Sequence, residues 1–256
     1  MKQAFFKFII IFLFQSLLMK LTWATSQTPL PLPSQKNIMI YLDPGHGGRE
    51  RGATSEGLAE ADLMLMFSKE LKQAFEDHTA FQILTSRSQD KAKPLSDRVN
   101  EAHSENADLF ISLHANSAFT SKAKGIEIFV QSAHNPAEHS EPLNQMISDL
   151  EQFGRQQTSF ALSKKIKTEI AQNESELKKT PIRIKQAPFY VLAKTQIPSL
   201  LVEIGFLSHP REKQKLQQKK YRAQIAEEIV TAVKNFVDTR QLHKDFSDKT
   251  SKRILN

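Results

Sequence analysis

The chain has 256 residues, enough for one large or two small domains, and it has no cysteine. A disulfide framework and a lipid-carrying cysteine are therefore excluded. The formal charge of +7 includes Lys2, Lys7 and Lys20; without these three the balance is +4. So mild an excess does not ask for nucleic acid, and it suits an anionic polymer such as the cell wall.

The first 24 residues read as a secretory signal peptide. Basic residues precede the apolar run "FIIIFLFQSLLM", and Thr22 and Ala24 offer small side chains before a cut. The run is short for a stable span, so no membrane helix is expected after cleavage, and the chain is expected in the periplasm or outside the cell. Residues 25–36, "TSQTPLPLPSQK", form a Pro-rich linker.

From residue 37 to about 240, strands and helices alternate. "IMIYL" is a short buried strand; "EADLMLMFSKELKQAF" has Leu63, Met66, Phe67, Leu71 and Phe75 at helical spacing. "AFQILT" is a strand, "PLSDRVNEAHSEN" a helix, and "ADLFISLHA" and "GIEIFV" are strands. A polar helical region spans roughly Glu141 to Glu176, "PFYVL" and "SLLVEIGF" are two further strands, and "REKQKLQQKKYRAQIAEEIVTAVKNFV" closes the domain as a helix with a solvated basic face. Residues 241–256 are a loose polar tail. The pattern predicts a single α/β domain with a central, mostly parallel (mixed) sheet of about six strands and helices on both faces.

Ligands gather beyond the carboxyl ends of strands in such sheets. "IMIYLDPGHGG" ends in His46, "DLFISLHAN" in His114, and "SLLVEIGF" carries Glu203; Glu60 lies in the first turn of the helix after the glycine loop, with Glu56 and Asp62 as rivals. Two histidines and a carboxylate make up the ligand set of a hydrolytic zinc site, which keeps a fourth position for water. A further carboxylate must carry the proton, and Glu203, on an apolar strand that would raise its pKa, meets that need. A phosphate loop fails on spacing: Glu50 stands where GxGxxG needs its last glycine, and Ala53 where a P-loop needs lysine. His78, His103, His134, His139, His209 and His243 read as surface residues; Arg87 and Arg98 read as holding the core loops by ion pairs, with contact to substrate carboxylates as the alternative.

With the loop "DPGHGG", a glutamate opening the next helix, "ADLFISLHAN" and "PSLLVEIGFLSH" in this order, residues 38–237 resemble the zinc-dependent N-acetylmuramoyl-L-alanine amidases. Ser86, His103 and His209 depart from that pattern. The resemblance selects Glu60 over its rivals. It implies one zinc ion per chain on His46, Glu60 and His114, with Glu203 as the catalytic carboxylate. It also implies hydrolysis of the amide between N-acetylmuramic acid and L-alanine of the peptidoglycan stem peptide. Two other classes fit the ligands alone: a zinc peptidase cutting within the stem, and a catalytically silent wall-binding or activator module.

Residues 133–157 contain an amphipathic helix in which Pro142 suits the start and Gly154 the stop. Leu143, Met146, Ile147, Leu150 and Phe153 fall on one face. The plain expectation is a peripheral helix packed by that stripe. The resemblance implies a second: a lid that lays a carboxylate (Glu138, Glu141, Asp149 or Glu151) on the metal until an activator protein withdraws it.

Overall fold

The computed structural model describes residues 37–132, 142–174 and 176–254. The expected signal peptide and linker lie outside the described residues, as do Glu138 and Glu141. Strand β1 (Ile38–Pro44) is followed by the small hairpin of β2 (Thr54–Ser55) and β3 (Leu58–Ala59), then helix α1 (Glu60–Glu76), β4 (Phe81–Thr85), α2 (Leu95–Ser104), β5 (Leu109–Asn116) and β6 (Ile126–Gln131). Helix α3 (Pro142–Gln172) leads through a short 3-10 turn (Glu176–Lys179) to β7 (Ile182–Ala187), α4 (Tyr190–Lys194), β8 (Ser199–Phe206), α5 (Pro210–Gln217) and α6 (Lys219–Ile254).

Six strands form one sheet in the order β4-β1-β5-β8-β6-β7. The first four run parallel; β6 is antiparallel to β8, and β7 is parallel to β6. Side chains alternate across a strand, and here the alternation divides the labour. Ile40, Leu42, Ile111, Leu113, Ile128, Leu200 and Val202 belong to the larger core, with residues of α1, α3 and α6. Tyr41, Phe110 and Leu201 face the other way, towards α2 and α4, in a smaller cluster. The register places Asp43 beside Ser112, Ser112 beside Leu201, His114 beside Glu203 and Glu203 beside Glu127. Every one of these positions has the parity of the smaller cluster, so the polar row occupies the less thickly covered face.

Four local expectations are corrected. "PFYVL" is no strand: the chain turns at Phe189 and makes the five-residue helix α4. The sixth strand is β7, where Ile182 and Ile184 alternate with Arg183 and Lys185. Gly154 does not stop α3; a Cβ there would meet nothing within 4 Å, and the helix continues to Gln172. The closing helix is broken at Gln218, and the expected loose tail is helical to Ile254, the sequence after Pro210 holding neither glycine nor proline to interrupt it.

The two halves of α3 differ. Leu162, Ile166 and Ile170 are buried in the larger core, but Ile147, Leu150 and Phe153 are 47%, 63% and 59% exposed. These three residues of the stripe expected to pack on the domain face solvent. No described helix is long and apolar enough to cross a membrane. If the C-terminal half of α3 carries its stability, Ile166→Ala costs about 2–5 kcal/mol in urea denaturation, whereas Leu150→Ala stays within about 0.5 kcal/mol of the parent.

Candidate metal centre

The turn after β1 is shaped by what must pass close to it. A Cβ on Gly45 would stand 2.3 Å from Cε1 of His114, and one on Gly52 would stand 2.5 Å from both Oε2 of Glu60 and Cδ2 of His46. Glycine is the residue that leaves this space, and Gly52 also takes φ +65°. His46 itself sits at φ 60°, a left-handed conformation uncommon for a side chain with a Cβ. The bridge between Gly47 and Glu50 closes the loop and turns the imidazole back over the sheet edge.

Glu60, the first residue of α1, is 5% exposed and receives both imidazoles. Its Oε2 lies 3.1 Å from Nε2 of His46, and its Oε1 lies 2.8 Å from Nδ1 of His114. The Ala53 amide donates to Oε2 at 2.9 Å and the Ala115 amide to Oε1 at 3.1 Å. Burial pushes the Glu60 carboxyl pKa up, but hydrogen bonds from His114, His46 and Ala53 outweigh it and hold the group well below the usual carboxylate range. The bond to Glu60, supported by one to Glu50 at 3.1 Å, raises the His46 pKa against its desolvation. The two rings meet edge to face, centroids 5.0 Å apart. One ligand atom from each of His46, Glu60 and His114 lies within 4.8 Å of the others, and among the described residues no other such group of histidines and carboxylates exists.

Glu203 lies beside this triad. Its neighbour across β5 is His114, and both line a cavity of about 540 Å³ that runs between α2 and α4. Its Oε2 is buried with no hydrogen-bond partner. Burial, with smaller contributions from Glu60 and Glu127, pushes its pKa up to about 7 despite the nearby imidazoles.

Comparison with known proteins gives the family. The family described as N-acetylmuramoyl-L-alanine amidase matches residues 40–235. The chain belongs to that family. It is 31% identical over 219 residues to the N-acetylmuramoyl-L-alanine amidase AmiA of Escherichia coli (strain K12), covering 76% of this chain and 74% of that one. With the N-acetylmuramoyl-L-alanine amidase AmiC of Neisseria meningitidis serogroup B it shares 28% over 243 residues, 86% of this chain but 58% of the relative, so it spans little more than half of that protein. The crystal structure of the N-acetylmuramoyl-L-alanine amidase from Clostridium difficile 630 superposes with a TM-score of 0.63 at 28% identity, covering 80% of this chain and 98% of that one.

In this member of the amidase family the loop that carries His46 is held from below by two buried arginines. Arg98 pairs with Asp43 at 2.7 Å and donates to the carbonyls of Pro44 and His46. Arg87 donates to the carbonyls of Pro44, Gly45 and Ala61. The three departures from the family pattern are all engaged: Ser86 donates to Asp43 at 2.7 Å, His103 accepts from the Gln196 amide, and His209 caps α5 through the Glu212 amide. His103 and His209 are thus fixed parts of the structure and not merely surface residues. Asp149 and Glu151 do not join the triad or the cavity lining; Glu151 faces Arg155 at 3.8 Å. Sequence reasoning missed Glu127, 4% exposed beside Glu203, although a carboxylate inside "GIEIFV" is the same signal that singled out Glu203.

Two outcomes follow from this geometry. Gly45→Ala drives the His114 ring from its place and lowers metal affinity on the order of 10- to 100-fold in a chelator competition, whereas Gly154→Ala leaves it unchanged. A carboxyl whose folded pKa is about 7, against an unfolded value near 4.5, costs nothing below pH 4.5 and its full penalty above pH 7. Glu203→Gln therefore stabilises the metal-free protein by about 3 kcal/mol at pH 8, and the gain vanishes as the pH falls to 4.

Proposed function

We propose that this chain is an exported enzyme that hydrolyses the amide between the lactyl group of N-acetylmuramic acid and L-alanine of the peptidoglycan stem peptide, with one zinc ion per chain. The observation that carries the reading is the unpartnered, buried Oε2 of Glu203 beside a triad of two imidazoles and a carboxylate. That donor set suits zinc and keeps a coordination position open. Zinc bound there supplies Lewis acidity for the scissile carbonyl and lowers the pKa of water.

The chain's own residues do the rest. Glu60 and its two amide donors fix the imidazoles in place. Glu203, with a pKa of about 7, accepts a proton from the attacking water and returns it to the leaving amine near neutral pH. Leu95, Phe189 and Val191 give one side of the cavity an apolar lining. The N-terminal signal carries the enzyme to its polymer, and the mild positive charge favours that substrate. An activator protein has a surface to act on in the solvent-facing stripe Ile147, Leu150 and Phe153 of α3.

Digestion of purified cell wall tests the reading. The released peptides begin with L-alanine, chelation abolishes release, and zinc restores it. Glu203→Gln keeps zinc and loses on the order of 10²–10⁴ in rate. Peptides beginning at a later stem residue identify a peptidase instead, and no release by zinc-loaded protein identifies a silent wall-binding module.

A further inference from the structure

Asn116 stands two residues beyond His114 on β5 and therefore on the same face of the sheet, where it lines the metal cavity. The register slips between them: His114 pairs with Glu203, but Asn116 pairs with Phe206. The extra residue lies on β8, at the stretch that contains Gly205, so β5 keeps its alternation and Asn116 stays on the face of His114. Here Nδ2 of Asn116 donates to Oε2 of Glu127 at 3.2 Å. Glu127 is 4% exposed, faces Glu203 across β6 and β8, and has Nζ of Lys185 2.6 Å from its other oxygen.

An asparagine amide has a donor end and an acceptor end, and a carboxylate paired with an ammonium group only accepts. The Glu127–Lys185 pair thus leaves one orientation for Asn116. Its NH₂ turns to Glu127, and its Oδ1, without a hydrogen bond among the described residues, is the end left for a ligand in the cavity. A site lined in this way selects a donor and rejects an acceptor.

We propose that Asn116 is a specificity-determining residue that accepts a hydrogen bond from the first stem-peptide N–H beyond the scissile amide, with Glu127 and Lys185 as its positioning residues. The proposal rests on the amidase reading given above. Glu203 returns the proton to the leaving amine, so the peptide half of the substrate lies along Glu203. Asn116 is joined to that side through Glu127, the cross-strand neighbour of Glu203. The next N–H of the stem is one residue away, about 3.8 Å along the chain, whereas the acetamido N–H of the sugar lies on the acyl half.

The test compares two synthetic muramoyl dipeptides, one with the natural amide between its two amino acids and one with an ester oxygen in place of that N–H. The zinc-loaded enzyme cuts the muramoyl–alanine bond of the amide substrate with a kcat/KM on the order of tenfold above that of the ester. Asn116→Ala and Asn116→Ser lower the amide rate to that of the ester and keep their zinc. Glu127→Gln, which can donate as well as accept, brings the ratio between those of wild type and Asn116→Ala.

Equal rates for wild type on the two substrates overturn the proposal without any variant. So does a tenfold ratio that survives Asn116→Ala and Asn116→Ser. An unchanged ratio in Glu127→Gln overturns the orienting role. Cleavage of neither substrate at the muramoyl bond by zinc-loaded wild type overturns the amidase reading together with this one.

Discussion

The carboxylate of Glu60 is taken almost wholly out of water, and each of its oxygens accepts from one imidazole and one backbone amide. A charge so buried is tolerable only when it is paired and hydrogen-bonded. Here the four partners come from separate places: the turn after β1, the approach to β2, and the end of β5. Satisfying one carboxylate thus ties the start of α1 to two strand ends. The glycines at 45 and 52 follow from the same knot, because the imidazoles and the carboxylate occupy the space where their side chains would be.

Around that knot the sheet keeps two chemistries apart by parity alone. Residues of one parity build the larger core, and those of the other carry Asp43, Ser112, His114, Glu203 and Glu127 in adjoining positions. Asp43 is satisfied by Arg98, Ser86 and Ser112, and Glu127 by Lys185 and Asn116. Among the described residues Glu203 alone has a buried side-chain oxygen with no hydrogen-bond partner. The contrast is what singles out Glu203 for the proton transfer proposed above.

His46, His114 and Glu203 were legible because polar residues that end apolar runs in an α/β pattern converge on one edge. Glu60 was not separable from Glu56 and Asp62 by spacing, since a first helical turn attracts any acid; its burial under two amide donors is a tertiary fact, and the family resemblance selected it. The order of strands was equally hidden, because β6 enters between β8 and β7 through pairings far apart in sequence. "PFYVL" misled as a five-residue apolar run, too short for periodicity to choose between strand and helix. β7 was visible in principle from the alternation of Ile182 and Ile184 with two cations. The exposed stripe of α3 shows the reverse error: helical periodicity gave the element but not which way its apolar face turns.

The placement of β7 has an effect on colloidal behaviour. It is the last strand of an open sheet, and an open edge is a template on which another chain can add a strand. Arg183 and Lys185 stand on it, with the buried Glu127 next door fixing the ammonium of Lys185 against the sheet. A second copy laid alongside β7 would bring its own two cations against these, and the self-repulsion discourages edge-to-edge polymerisation. At the opposite margin Lys72 reaches from α1 to the carbonyl of Ile83 in β4. Basic side chains thus stand at both rims of the sheet, Lys72 being paired with Glu76 as Lys185 is with Glu127, and a charged edge disfavours the addition of a further strand.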